Sequence, residues 1–210
     1  MIIKVCGMRE EENIAALAKL NVYFMGMIFY EKSPRFVGDK SPFNTELNKI
    51  GVFVNATPEY ILSMVVKHRL YGVQLHGDEN PEYVKELRTL MSENEVKDLF
   101  ISKAFRMSKG VTKEEIEAYH DLVDLYVLDS GGKAYGGTGE KWDYEKLKEL
   151  NLNKNFLLSG GINEEDKLNE IVKIHPYCLG VDINSGFELG PGIKDNTKIK
   201  RFIDNGKVFS

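Results

Sequence analysis

An alternation of short apolar runs with helical patterns, repeated along the whole chain, most constrains how this sequence can fold. Amphipathic patterns of helical period follow most of the runs. Strands that alternate with helices form a parallel sheet, and about eight such units close into a barrel. The sequence therefore predicts a single (β/α)₈ barrel domain over residues 1–210. The eight runs end near Val5, Ile28, Val54, Leu75, Phe105, Leu128, Leu158 and Ile183.

Polar residues that can cap a helix stand before most of the helical patterns. Thr57 and Asn80 each precede a proline, which suits the first turn of a helix. Thr112 and Glu115 have the spacing of a capping box. A first helix is expected over residues 10–20, and two later helices are expected to begin after Asn163 and Asp195.

The second strand–helix unit of the alternation lacks a clear helical pattern. Residues 30–50 contain two Ser-Pro pairs and a glycine but little helical periodicity. Residues 43–48 are too few to form a free helix, because nucleating one turn costs more than so few hydrogen bonds return. We therefore predict a shortened or missing second helix, with Phe43 and Leu47 turned inward over the neighbouring strands.

A doubly wound open sheet is the rival fold. It usually carries a glycine-rich turn after its first strand. The turn at that place reads Cys6-Gly7-Met8-Arg9, and neither GxGxxG nor GxxxxGK[ST] occurs in the chain.

Composition limits the partners of the protein. The net charge of −4 and the lack of a Lys/Arg cluster argue against nucleic-acid binding. The longest apolar stretch, residues 22–30, is too short to span a membrane, and the N-terminus reads as a strand and not as a signal peptide. Two cysteines without a disulfide framework fit a reducing cytosol. We expect a cytoplasmic protein with a small-molecule ligand; the sequence leaves the oligomeric state open, with a monomer favoured.

Two late strands end in residues small enough to expose their backbone amides. Residues 157–161 read Leu-Leu-Ser-Gly-Gly, and residues 181–186 read Val-Asp-Ile-Asn-Ser-Gly. Backbone amides at such strand ends bind phosphate, and a phosphate site after strands 7 and 8 is frequent in (β/α)₈ barrels. Catalytic side chains are then expected at the ends of earlier strands.

Cys6 and Asp129 stand at two such ends. Cys6 reads either as a small buried apolar residue or as a base or nucleophile, and Lys4 on the same face would favour its thiolate. Asp129 reads either as a turn cap or as a general acid. The glycine-rich residues 130–139 resemble a mobile lid, and a carboxyl group beneath a lid that excludes water would have a raised pKa.

Two other residues keep two interpretations. Arg35, in the loop after strand 2, either clamps an anionic group or is solvated. His76 ends strand 4 and either binds substrate or caps a turn. The histidines and cysteines show no metal-ligand spacing, so no metal is expected.

Taken together, segments from the first strand to the last resemble phosphoribosylanthranilate isomerase of tryptophan biosynthesis. Each segment alone is a weak signal, whereas the series in this order is specific. The segments are residues 4–9 (KVCGMR), 29–35 (FYEKSPR), 51–55 (GVFVN), 73–77 (VQLHG), 128–130 (LDS), 135–139 (YGGTG), 158–162 (LSGGI) and 181–188 (VDINSGFE).

The resemblance implies a barrel without cofactor or metal that catalyses an Amadori rearrangement of N-(5-phosphoribosyl)anthranilate. It implies that Cys6 is the general base, Asp129 the general acid and Arg35 the residue that engages the anthranilate carboxylate. The phosphate-binding backbone then consists of Gly160, Gly161, Ser185 and Gly186, with Asp182 beside it at the rim.

Two other functions compete with this one. Another phosphosugar barrel enzyme, of the same pathway or of histidine biosynthesis, would use Lys/Glu or paired Asp residues where this chain has Cys6. A non-catalytic sensor of phosphometabolites would keep the glycine-rich strand ends but would need neither Cys6 nor Asp129.

Overall fold

The computed structural model describes residues 1–38, 40–131 and 144–207, and it confirms the predicted barrel. Eight parallel strands pair in sequence order, and the first strand also pairs with the eighth, which closes the sheet. A parallel sheet that closes on itself has no free edge and needs helices only on its outer side. The strands are β1 (Ile2–Val5), β2 (Phe24–Ile28), β3 (Asn48–Phe53), β4 (Gly72–Leu75), β5 (Phe100–Arg106), β6 (Leu125–Asp129), β7 (Phe156–Ser159) and β8 (Cys178–Ile183).

The helices lie on the outer side of the barrel, and most of them begin where the capping residues predict. The side chains of Thr57 and Asn80 accept hydrogen bonds from the third residue after them, and Thr112 with Glu115 forms the capping box. The prediction for Asn163 is wrong, because its side chain closes a turn with the Glu165 N–H and the next helix begins five residues later. The helices are α1 (Glu11–Leu17), α2 (Pro58–His68), α3 (Pro81–Glu93), α4 (Lys113–Glu117), α5 (Tyr144–Glu149), α6 (Leu168–Lys173) and α7 (Asn196–Lys207).

The second helix is missing from the described residues, as predicted. Among the described residues between β2 and β3, which omit residue 39, the structure shows turns and extended chain but no helix. Phe43 is buried in the main core, and Leu47 is partly buried against it. These two side chains cover apolar surface that a helix covers at the other steps, as expected from the sequence.

A short antiparallel hairpin follows β8 and was not predicted. It consists of β9 (Glu188–Gly190) and β10 (Ile193–Lys194), and it lies beyond a 3₁₀ turn at Ser185–Phe187. The hairpin brings two charged side chains, Glu188 and Lys194, to the rim at which all eight barrel strands end. No helix in the described part of the chain combines the length and apolarity needed to cross a membrane.

Candidate active site

A cavity opens at the carboxyl ends of the barrel strands. Its empty volume is about 820 Å³, counting the space open to solvent. This end of a (β/α)₈ barrel is where the loops after the strands meet, so residues far apart in the sequence share one site. Every residue proposed from the sequence lines it: Cys6, Arg35, His76, Asp129, Gly160, Gly161, Asp182, Ser185 and Gly186.

Cys6 is buried and lines this cavity. It follows β1 directly and packs with Ile28 and Val52 in a small cluster separate from the main core. A Cβ atom on Gly26 of β2 would lie 2.8 Å from the Cys6 Sγ, so the absence of a side chain there makes room for the thiol. Lys4 is also buried and donates a hydrogen bond of 2.7 Å to Asp182 Oδ2.

Lys4 lowers the pKa of Cys6, as expected from the sequence, but its effect is not the largest one. Burial raises the pKa of the Cys6 thiol, and the lowering by Lys4 is opposed by the negative charge of Asp182. The Lys4–Asp182 pair therefore presents the thiol with two opposite charges, and desolvation decides the direction.

Asp129 ends β6. Hydrogen bonds connect it to His76, which follows β4, and His76 to Gln74 on β4. The His76 Nε2 lies 3.2 Å from Asp129 Oδ2, and the His76 Nδ1 lies 3.0 Å from the Gln74 amide nitrogen. The Gly131 N–H donates to the other carboxylate oxygen of Asp129. Asp129 and His76 are each about 20% exposed, whereas Gln74 is fully buried.

The expected rise in the Asp129 pKa is not observed. Burial pushes the pKa of Asp129 upward, but the hydrogen bond with His76, the Gly131 N–H and the charge of Arg106 together lower it below its usual value. The segment expected to form a lid, residues 130–139, lies outside the described residues from position 132 onward.

Arg35 belongs to a charged network at the rim. Its Nε and Nη2 donate to the two oxygens of Glu188 at 2.8 and 2.6 Å, and Lys194 donates to the same carboxylate at 2.6 Å. The hydrogen bond to Glu188 raises the pKa of Arg35, and the two cations keep the pKa of Glu188 low despite its burial. Gly7, with φ of +79°, leaves room for this arrangement, since a Cβ there would lie 2.7 Å from Arg35 Cδ.

The ends of β7 and β8 meet at one corner of the cavity. Gly160 and Gly161 have φ of +82° and +66°, a conformation that glycine adopts more readily than other residues. A Cβ on Gly186 would lie 2.4 Å from the Ile162 carbonyl oxygen. The two strand ends can approach this closely because glycine stands at these positions.

The cavity holds one carboxylate oxygen that lacks a hydrogen-bond partner. Asp182 Oδ1 is buried and has none among the described residues, although its other oxygen binds Lys4. Within the same ranges no three His, Cys, Asp or Glu side chains converge as metal ligands.

The family model described as N-(5'phosphoribosyl)anthranilate (PRA) isomerase matches residues 3–205 of the chain. The chain belongs to this family. A protein of Parabacteroides distasonis named N-(5'-phosphoribosyl)anthranilate isomerase is 39% identical over 97% of this chain and 92% of its own length. One of the same name from Phocaeicola vulgatus is 34% identical over 99% of this chain and 98% of its own length.

Solved structures of phosphoribosyl anthranilate isomerases resemble this one over almost the whole chain. The enzyme of Thermotoga maritima superposes with a TM-score of 0.78 at 28% identity, with 99% of both chains covered. Another structure of this family, in complex with reduced 1-(o-carboxyphenylamino)-1-deoxyribulose 5-phosphate, has a TM-score of 0.74 at 26% identity, again with 99% of each chain covered.

Reasoning from the sequence missed three participants in the site of this family member. Gln74 and Glu188 lay within the segments that carried the resemblance, but neither was assigned a role. No sequence pattern pointed to Lys194, because its charge reaches the site only through the hairpin after β8. A polar residue in an otherwise apolar strand, as Gln74 is, was the one available sign.

Proposed function

We propose that this protein catalyses the Amadori rearrangement of N-(5-phosphoribosyl)anthranilate to 1-(2-carboxyphenylamino)-1-deoxyribulose 5-phosphate in tryptophan biosynthesis. One observation carries the assignment of residues. A single cavity is lined by Cys6, Asp129, Arg35 and the glycine-rich ends of β7 and β8. Membership of the isomerase family supports the same reaction.

The reaction begins with opening of the ribose ring. Asp129, in its protonated form, gives its proton to the ring oxygen, and the C1–O bond breaks as the nitrogen lone pair forms a C1=N iminium. Cys6, as the thiolate, then removes the proton from C2, and the electrons of that bond neutralise the iminium as an enolamine. The enolamine tautomerises to the ketone, so substrate and product contain the same atoms. General acid and base catalysis supplies both transfers.

Two anchors hold the sugar between these groups. The amides of Gly160, Gly161, Ser185 and Gly186 bind the phosphate without a lysine, and Arg35 binds the anthranilate carboxylate. Glu188 uses two of the five N–H donors of the guanidinium, so others can meet the substrate. Holding both ends fixes the reacting atoms near Cys6 and Asp129, which lowers the entropic part of the barrier.

Asp182 contributes a hydrogen-bond acceptor. Its Oδ1 is buried without a partner in the described structure, and a sugar hydroxyl placed there would pair with it.

We place the reaction in the cytoplasm. Cys6 and Cys178 are free thiols, which agrees with a reducing compartment.

The purified protein should convert the substrate with loss of its anthranilate fluorescence. Absence of turnover in folded protein would contradict the proposal. Turnover that survives Cys6→Ala and Asp129→Ala together would contradict the assigned residues while leaving the reaction standing.

A further inference from the structure

Gln74 is buried inside the barrel with one half of its amide unused. It is 0% exposed, and its Oε1 has no hydrogen-bond partner within the described ranges. Its Nε2 lies 3.0 Å from the His76 Nδ1. Unpaired polar atoms are rare in protein interiors, and one beside an active site calls for a physical explanation.

The observed contacts correspond to one protonation state of the three hydrogen-bonded side chains Gln74, His76 and Asp129. When the Gln74 amide donates to Nδ1, the proton of neutral His76 is on Nε2, from which it is donated to the Asp129 carboxylate. One further proton added to His76 goes to Nδ1. The new Nδ1–H then faces the N–H groups of the Gln74 side chain, unless the side-chain amide turns by 180° and presents Oε1 as an acceptor.

We infer that Gln74 is a positioning residue whose amide turns with the protonation of the His76–Asp129 pair. With Oε1 toward Nδ1–H, the added proton is shared between His76 Nε2 and Asp129 Oδ2, and Asp129 can hold it as a carboxylic acid. With Nε2 toward Nδ1, Asp129 is a carboxylate. The unpaired Oε1 is the acceptor that the protonated state uses.

This inference rests on the proposed function. In that reaction Asp129 gives up its proton when the ring opens, so it must regain one in every turnover. A neighbour that accepts a hydrogen bond in one state and donates one in the other stabilises both ends of that cycle. Leucine or methionine would stabilise neither.

The other charged groups near His76 and Asp129 do not take the place of Gln74 as the partner of His76 Nδ1. Arg106, at the end of β5, donates to the His76 carbonyl oxygen and lowers the pKa of Asp129 by its charge. Glu79, in the loop after β4, is paired with Lys103 and with the Gly77 N–H. None of these groups contacts Nδ1 in the described structure. The other ionisable residues of the cavity are Cys6 after β1, Tyr30 and Arg35 in the loop after β2 and Asp182 on β8.

The first experiment uses the unmodified protein. Gln74 is the only glutamine in the sequence, so protein labelled with ¹⁵N in the glutamine side-chain amide gives a single pair of NMR signals. We expect these signals to shift with the same midpoint as the His76 ring nitrogens, which a His76→Asn variant identifies. Amide signals that stay constant while His76 titrates would overturn the inference.

The second experiment depends on the sign of a shift. If the amide turns, Gln74→Met removes a charge-assisted acceptor from the protonated state and only a weaker, neutral donor from the other state. The proton affinity of the pair then falls about tenfold, and the midpoint moves about one pH unit lower. If the amide is fixed with its donor toward Nδ1, the same substitution removes an opposing group and the midpoint rises. A rise, or no shift, would therefore contradict the inference.

Ser102→Ala is the matched control. Ser102 is the register partner of Gln74 on β5, is equally buried and donates to the Val73 carbonyl oxygen, so its loss removes a buried hydrogen bond without touching His76. We expect no shift of the His76 midpoint in this variant. The acid limb of kcat/KM should move with the midpoint in Gln74→Met. A protein that titrates as expected but shows no turnover would contradict the proposed function and leave the inference standing.

Discussion

The two residues proposed to transfer protons are held in the less reactive of their two protonation states. Burial raises the pKa of Cys6, and the contacts of Asp129 with His76 and Arg106 lower its pKa. At neutral pH the free protein therefore contains mostly a thiol and a carboxylate. The reactive pair, a thiolate with a carboxylic acid, holds the same number of protons.

This arrangement predicts a bell-shaped dependence of kcat/KM on pH. Its acid limb should follow Asp129 and its alkaline limb Cys6, because protonation of the first or ionisation of the second changes the total proton number. A direct thiolate titration by absorbance at 240 nm, with Cys178→Ala to remove the other thiol, should give a Cys6 midpoint above that of an ordinary cysteine. A midpoint below it would show that Lys4 outweighs burial.

Removing either proton-transfer group should cost most of the activity. We expect Cys6→Ala and Asp129→Ala each to lower kcat by a factor of about 10² to 10⁴, the range typical of a positioned acid or base. Cys6→Ser should recover little, because a hydroxyl is a poor base near neutral pH. Near-normal kcat in Cys6→Ala would rule out its role as the base.

At the scale of elements, the ends of β7 and β8 carry the proposed phosphate site. In Gly186→Ala the new Cβ would meet the Ile162 carbonyl oxygen at 2.4 Å, so the backbone must shift there. We expect KM to rise about tenfold, the equivalent of about 1.4 kcal/mol of lost binding. Gly190→Ala in β9 is the control, because its Cβ would have no atom within 4 Å. Equal KM values for the two variants would count against this phosphate site.

A crystal grown with sulfate or phosphate tests the same corner independently. The anion should occupy the amides near Gly161, Ser185 and Gly186, since amides exposed at strand ends attract it. An anion bound only by side chains elsewhere, with this corner empty, would be evidence against binding by the backbone.

The irregular step between β2 and β3 replaces a helix with single side chains. Phe43→Ala should lower the free energy of unfolding by about 3 kcal/mol, the lower end for removal of a buried phenyl ring. Asn44→Ala, at the exposed neighbouring position, should change it by less than about 0.5 kcal/mol. Denaturant unfolding measures both. Similar small effects in the two variants would mean that this segment does not cover the core.

At the scale of the whole molecule, one buried histidine couples stability to pH. His68, at the end of α2, is 0% exposed and has no hydrogen-bond partner for either ring nitrogen in the described structure. Its ring centroid lies 5.1 Å from that of Phe29, with the two rings tilted by 57°. Burial and the charges of Lys67 and Lys49 lower its pKa. The unfolded chain therefore binds a proton at a higher pH than the folded chain does.

The contribution of His68 to the free energy of unfolding is complete above the pKa of about 6.5 that histidine has in the unfolded chain. It is lost as the pH falls from there toward the lower pKa of the folded state. In that window, the free energy of unfolding should fall by at most about 1.4 kcal/mol per pH unit for this one proton. Urea denaturation between pH 7.5 and 5 measures the slope. His68→Phe should reduce it, and an unchanged slope in that variant would assign the dependence to other groups.

The sequence by itself determined the barrel, the missing second helix and the positions of the site residues at strand ends. These depend on short-range features, such as apolar periodicity, caps and glycines, that are read within a few neighbouring residues. The start of α6 was misplaced because Asn163 serves a turn equally well as a cap.

Only the tertiary structure decided the partners and the protonation of the site residues. Arg35 meets Glu188 across 153 positions of sequence, and Asp129 meets His76 across 53. The free energy of a buried charge depends on all the groups around it and on its distance from water, and neither is a property of one segment. The net pKa directions of Cys6 and Asp129 therefore depend on the folded structure, although the sequence placed both residues at the cavity.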